Sequence, residues 1–184
     1  MLKITYTKLN IQGLMPKERR AAEHRGGRAL LLATLEELGL SDPKIALEPS
    51  GKPYLEDSSL HFSLAHSDGL CVCAVSDKRI GVDVESLRPM DIRSIERLSR
   101  RMFTPEEQRR LAESGFASEV FLTTWVQKEA IVKRSGVGIT GLRAADTAVA
   151  PVRAVKLKSF VLAVCPVGDE PLQPEERPDT DPHK

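Results

Sequence analysis

The chain has 184 residues, 41% hydrophobic and 29% charged, which is the profile of one globular domain or two small half-units. A formal net charge of +1 gives no case for a nucleic-acid partner, and no run approaches the ~18 apolar residues of a membrane span. The opening MLKITYTKLNIQGLM does not read as a signal peptide, and Cys71, Cys73 and Cys165 in strand-like runs read as reduced, packed thiols, so a cytoplasmic location is expected.

Ile4 to Leu9 reads as a first strand. The basic stretch Lys17, Arg19, Arg20, Arg25 and Arg28 then runs into ALLLATLEEL, a helix stopped at Gly39. Pro43, Pro49, Gly51 and Pro53 punctuate a loop. LHFSLAHS, LCVCAVS and RIGVDVE are short and β-rich, with Asp77-Lys78 able to turn between the last two. They predict a meander of antiparallel strands, with Cys71 and Cys73 on one face of the middle one.

After Pro89 the helical period returns, with Ile92, Ile95, Leu98 and Met102 on one stripe. Thr104-Pro105-Glu106-Glu107 is a helix start: Thr104 the N-cap, Pro105 at the first turn, Glu107 completing a capping box. Ser118 is expected to cap EVFLTTWVQKEAIVKR, which ends before Gly136. TAVAPVRAVKL and SFVLAVCPV return to strand character, and the tail from Pro166, with five prolines and six acids, is expected to be disordered or loosely attached. The order suggests an α+β arrangement of two α/β half-units.

Three segments carry candidate chemistry. In a strand RIGVDVE, Ile80, Val82 and Val84 point to one face, and Gly81, Asp83 and Glu85 to the other. Two carboxylates about 7 Å apart on one face suit a hard cation such as magnesium, or simply face solvent. On the helix WVQKEAIVK, Trp125, Glu129 and Lys133 share a face with Lys128 beside them; the plain reading is a core tryptophan and a Glu129–Lys133 pair. His66 ends an apolar run before a turn, where it is exposed, structural or a phosphate donor.

GKPYL (51–55), FSLAHS (62–67), GVDVE (81–85), FTPEE (103–107) and WVQKEAIVK (125–133) occur in an order that resembles the Sfp-type 4′-phosphopantetheinyl transferases. Trp125 follows Glu85 by 40 residues, the family's usual spacing between its G-[IV]-D-[IV]-E strand and its W-x-x-K-E-[AS]-x-x-K helix. The resemblance covers roughly residues 25 to 140. It implies an α+β fold of two similar half-units related by a pseudo-two-fold axis, with antiparallel strands and packed helices. Residues 1–88 would hold the metal-binding strand, 89–166 the W-x-x-K-E helix, and 167–184 a flexible tail.

It further implies magnesium held by Asp83, Glu85 and Glu129, and coenzyme A as substrate. Lys133 and Lys128 would contact its phosphates, His66 and Ser67 a phosphate, Lys52 and Pro53 its adenine side, and Arg25 and Arg28 its 3′-phosphate. An acyl or peptidyl carrier protein, of fatty-acid, polyketide or nonribosomal peptide type, would supply the accepting serine. Glu129 is the first choice of base and Glu107 the second. Met90, Arg93, Arg97, Arg100, Arg101 and Met102 would contribute to carrier docking, and a monomer is expected. Ala65 stands where many relatives carry serine, and the chain is shorter than typical members before the first helix and after residue 140. The alternatives are a different metal-dependent phosphodiesterase or nuclease, and a non-catalytic relative that binds coenzyme A or a carrier.

Overall fold

The run LCVCAVS is apolar almost throughout because the strand it forms is covered on both faces. In a computed structural model, which describes residues 1–168 and 171–179, that strand is β5 (Leu70–Ser76), buried at every position. β5 pairs antiparallel with β4 (His61–Ser67) on one side and with β1 (Leu2–Lys8) on the other. Its even positions, Leu70, Val72 and Ala74, face a second sheet; its odd positions, Cys71, Cys73 and Val75, face a helix. Burial pushes the Cys71 and Cys73 thiols up to about 12, so both are inert packing groups at neutral pH.

The helix is α1 (Pro16–Glu37), which takes in both the basic stretch and the apolar run. Pro16 opens it and the Glu18 carboxylate accepts the Met15 N–H at 2.8 Å, so the chain turns helical more than three turns before the apolar run begins. Leu30, Leu31 and Leu35 lie against Phe62, Cys73 and Val75. Each such leucine contributes about 2 kcal/mol of burial. A short ribbon, β2 (Ile45–Leu47) with β3 (Pro53–Leu55), follows α1.

The second sheet has the order β6 (Gly81–Ser86), β8 (Phe160–Cys165), β7 (Arg153–Leu157), all antiparallel. Ile80, Val82, Val84, Leu162 and Val164 pack face to face with Ile4, Tyr6, Val72 and Ala74 of the first sheet. Outside the second sheet lie α2 (Ile92–Met102), α3 (Pro105–Glu113) and α4 (Ser118–Ser135). Phe121, Val126 and Ala130 of α4 pack on Val161, Ala163 and Cys165. The result is an α+β stack of helix, sheet, sheet and helix.

Three sequence expectations change here. β6 does not continue a meander: it leaves the first sheet and pairs with β8. Asp77 does not close a hairpin but accepts the N-terminal ammonium at 2.9 Å. Ser118 does not cap α4, whose N-cap is Ala117; its hydroxyl accepts the Met90 N–H at 2.9 Å and ties α2's approach to α4.

The tail is docked over its described part. Glu175–Glu176 forms β9, parallel beside β1. The Glu176 carboxylate accepts from Tyr6 and from Lys158 at 3.1 and 2.9 Å, and Arg177 pairs with Glu37 at 2.6 Å. The rest of the segment expected to be flexible, residues 169, 170 and 180–184, lies outside the described residues.

At Gly81 a β-carbon would stand 2.0 Å from the Ala130 carbonyl oxygen and 2.4 Å from the Arg134 backbone nitrogen. Both are backbone of α4 and cannot swing aside. Gly81→Ala is expected to destabilise the protein by about 3 kcal/mol or more, seen as a lower urea midpoint or loss of soluble protein. An unchanged midpoint would mean that α4 does not lie this close to β6.

Candidate active site

β6 alternates as its sequence requires, with Val82 and Val84 in the inter-sheet core and Gly81, Asp83 and Glu85 turned toward α4. That face is not open solvent. Asp83 is buried, and Lys133 of α4 reaches its Oδ1 at 2.7 Å. Glu129 stands one turn before Lys133, so the side chains share a helix face. On the outer side of Asp83, the Glu85 Oε2 accepts from the Ser67 hydroxyl at 2.9 Å and from Arg88 at 3.2 Å.

The electrostatics agree with this grouping. Burial raises the Asp83 pKa; Lys133 pulls it down and Glu85 pushes it up, and the net direction is up. Burial likewise raises Glu129, reinforced by the charges of Asp83 and Glu85 and opposed by Lys133. Three carboxylates thus repel one another with one ammonium among them, a set whose chemistry calls for a cation. Among the described residues, however, no three His, Cys, Asp or Glu side chains are gathered closely enough to hold a metal ion as they stand. The donor types fit magnesium; the side chains are spread, with Lys133 on Asp83 and Ser67 and Arg88 on Glu85.

Two clefts flank the carboxylates. One of ≈ 290 Å³ is lined by Lys52, Pro53, Phe62, Leu64, Glu129 and Lys133. The other, of ≈ 620 Å³, is lined by Arg19, Arg20, Glu23, Ser67, Glu85 and Arg88. A larger hollow of ≈ 900 Å³ lies between the N-terminus and the C-terminal segment, at Met1, Asp77 and Gln173, and none of the motif residues lines it. Glu129 lines one of the two smaller clefts and Glu85 the other, so these are the relevant ones.

The sequence profile of the 4′-phosphopantetheinyl transferase superfamily matches residues 79–164, which span β6, α4 and β8 and hold all three carboxylates. The chain is 35% identical over 151 residues to the 4′-phosphopantetheinyl transferase HetI of a Nostoc species, an alignment covering 74% of this chain and 63% of that one. It is 30% identical over 120 residues to a 4′-phosphopantetheinyl transferase of Bacillus subtilis (62% and 52% covered) and 29% identical over 157 residues to the transferase AcpT of Salmonella typhimurium (82% and 79%). Over residues 79–164 the chain is thus similar to the 4′-phosphopantetheinyl transferase superfamily. Its matched part spans between about half and two thirds of the first two relatives.

The residues singled out by motif separate into groups. Asp83, Glu85, Glu129, Lys133 and Ser67 gather at one place. His66 stands beside it, exposed at the end of β4, with Glu23, His24, Lys133 and Arg20 the charged groups that act on it most. Pro53 and Lys52 line the smaller cleft, but the Lys52 ammonium is turned away from it. That ammonium donates to the carbonyl oxygens of Ile80 at 2.7 Å, Arg134 at 3.2 Å and Lys133. With Arg79, whose Nε donates to the Arg134 oxygen at 2.7 Å, it caps the C-terminus of α4. Arg28 is exposed one turn beyond His24 and Arg25 is exposed on α1; neither is on a cleft wall.

Two expectations are overturned. Lys128 is fully buried and pairs with Glu107 at 2.7 Å, so it is no phosphate contact. Glu107 is no catalytic base: both its oxygens are occupied. Oε2 accepts from Lys128 and from the Thr104 N–H at 2.8 Å; Oε1 accepts from the Thr147 N–H and hydroxyl at 3.0 and 2.9 Å. Motif reading also missed Glu23 and Arg88. Arg88 carried a signal, three residues past Glu85; Glu23 carried none without the α1–β4 packing.

Burial pushes the Glu107 carboxyl up, but the bonds from Lys128, Thr104 and Thr147 outweigh it and hold it below the ordinary value of 4.5. A depressed acid contributes stability that is complete above the unfolded pKa and lost as pH falls through the lower folded one. Lys128→Ala is expected to cost about 3–5 kcal/mol in urea unfolding, by leaving a buried charge alone, whereas the pair Lys128→Met with Glu107→Leu stays within a few kcal/mol of the parent or above it. The parent's advantage over Glu107→Gln is expected to shrink on acidification below about pH 4.5. An advantage that persists or grows there would contradict the ionised pair.

Proposed function

We propose that the protein transfers the 4′-phosphopantetheine group of coenzyme A to a serine of an apo carrier protein. The observation that carries this reading is the gathering of Asp83, Glu85 and Glu129 around Lys133, from the two motifs the superfamily profile spans. The relatives are named as 4′-phosphopantetheinyl transferases, which supports this reading.

In this reading Asp83, Glu85 and Glu129 hold magnesium, which when bound supplies charge neutralisation for a pyrophosphate. Lys133 adds a mobile positive charge; it leaves Asp83 for a phosphate oxygen when a ligand arrives. The carrier serine oxygen forms a bond to the phosphorus that bears the pantetheine ester. The pyrophosphate P–O bond breaks and adenosine 3′,5′-bisphosphate departs. Glu129 accepts the serine proton. Coenzyme A extends along the Pro53–Phe62–Leu64 cleft, with His66 at a phosphate.

The carrier docks on α2. Arg93, Arg97, Arg100 and Arg101 are exposed and recur at helical spacing on one side, a fit for an acidic helical domain. We further take the protein to act as a cytoplasmic monomer.

Apo carriers of several types incubated with the protein, coenzyme A and magnesium are expected to gain one phosphopantetheine group by mass spectrometry. Glu129→Ala and Lys133→Met are expected to lower the rate about 100-fold, and a chelator to abolish it. Arg93→Ala with Arg97→Ala is expected to raise the carrier KM about tenfold and leave the coenzyme A KM unchanged. Bound coenzyme A without transfer to any carrier would instead support a non-catalytic relative.

A further inference from the structure

Glu23 is an acid nearly buried on a helix face otherwise rich in arginine, and it does not belong to any motif. Its two oxygens have separate tasks. Oε1 accepts the Gly69 N–H of the β4–β5 turn at 2.8 Å, and Oε2 stands 3.2 Å from the His66 Nδ1. A carboxylate that near a ring nitrogen can only accept, so it favours the tautomer with the hydrogen at Nδ1. In the neutral ring Nε2 is then bare and lies on the side away from Glu23. The His24 ring meets the His66 ring edge-on, 5.2 Å between centroids, and restrains it further.

Basic groups surround this imidazole: Arg20 and His24 from α1 and Lys133 from α4. Glu23 is the one acid among the charges that act on it most. With no ligand, burial is the largest effect and lowers the His66 pKa below the ordinary 6.5, with Arg20, His24 and Lys133 acting the same way and Glu23 opposing them. The ring is therefore neutral near pH 7. A neutral ring with a bare Nε2 cannot donate to an anion. A phosphate among the same basic groups reverses the balance, because it offsets their charge and offers an acceptor to a protonated Nε2.

We infer that Glu23 is a positioning residue that holds His66 by Nδ1, so that the ring takes up a proton at Nε2 as a phosphate-bearing ligand binds. The carboxylate serves as counter-ion for the imidazolium that forms. This inference rests on the coenzyme A reading above for its ligand, but not for the ring's orientation. Affinity for the ligand then strengthens as pH falls through the neutral range, by up to about tenfold per unit above the pKa of the free ring. A neutral ring that served only to pack would show no such slope.

The test is long-range proton–nitrogen NMR of histidine-labelled full-length protein, with the His66 signals identified by their loss in His66→Asn, followed by titration with coenzyme A and magnesium. The expected result is an Nδ1–H neutral ring in the free protein and a doubly protonated ring in the complex at about pH 7.5. In Glu23→Gln, whose amide oxygen can still accept from Gly69, the tautomer preference is expected to weaken and the ring to stay neutral with ligand bound. The coenzyme A KM should rise about tenfold and kcat stay within about twofold, the deficit narrowing as pH is lowered. An Nε2–H ring in the free protein, a ring that stays neutral in the parent complex, or a Glu23→Gln deficit spread evenly over pH and kcat would overturn the inference. An Nδ1–H ring in a protein that does not bind coenzyme A would sink the coenzyme A reading while supporting the placement of His66 by Glu23.

Discussion

Helix α4 lies so close to β6 that a side chain at Gly81 would enter the helix backbone. That approach sets the rest of the site. The helix runs on from this contact with Lys133 beside Asp83, and Glu129 one turn away close enough to be acted on by Asp83 and Glu85. A helix resting one side chain farther out would leave two carboxylates on a strand and a lysine in solvent. The glycine of GVDVE is thus a packing requirement for the acids that follow it.

Other contacts hold the two elements in that relation. Lys52 and Arg79 bind the last carbonyls of α4 from the first half of the chain, and Arg79 is anchored by two 2.6 Å bonds to Glu48. On the other side, Ser63 and Ser67 of β4 accept the N–H groups of Val82 and Ser86 at 3.1 and 3.2 Å. Ser67 also donates to Glu85, so one hydroxyl fixes both the strand and the carboxylate. At the far face of α4 the Glu107–Lys128 pair joins α3, α4 and the Ala145–Thr147 loop. The site therefore sits where the two halves meet, and its geometry depends on both.

Much of this was legible in local pattern. Period-two alternation placed Asp83 and Glu85 on one face, the i, i+4 spacing placed Glu129 with Lys133, and Thr104 and Glu107 form the capping box their spacing announces. Lys128 was misassigned although a signal was present. Phe121, Trp125, Lys128 and Val132 share the helix face that packs inward, and a lysine on such a face needs a buried partner. The partner, Glu107, is remote in sequence and cannot be found from periodicity. The same holds for β6, whose strand partner β8 arrives about 80 residues later, and for Glu23, which meets His66 only because α1 packs on β4. The acidic, proline-rich tail was misjudged because composition reports apolar burial. Its strand is held instead by edge pairing and by charges from Lys158 and Glu37.

In the proposed reaction Asp83, Glu85 and Glu129 would form one cation site, with Lys133 moving from Asp83 to a phosphate oxygen. Anomalous diffraction from crystals grown with coenzyme A and manganese tests it most directly, because manganese takes the same hard oxygen ligands as magnesium. The account expects one anomalous peak within ligand distance of all three carboxylates, with the Lys133 ammonium moved from Asp83 to a phosphate oxygen. A peak elsewhere, or coenzyme A bound with Lys133 still on Asp83 and no metal between the acids, would contradict it.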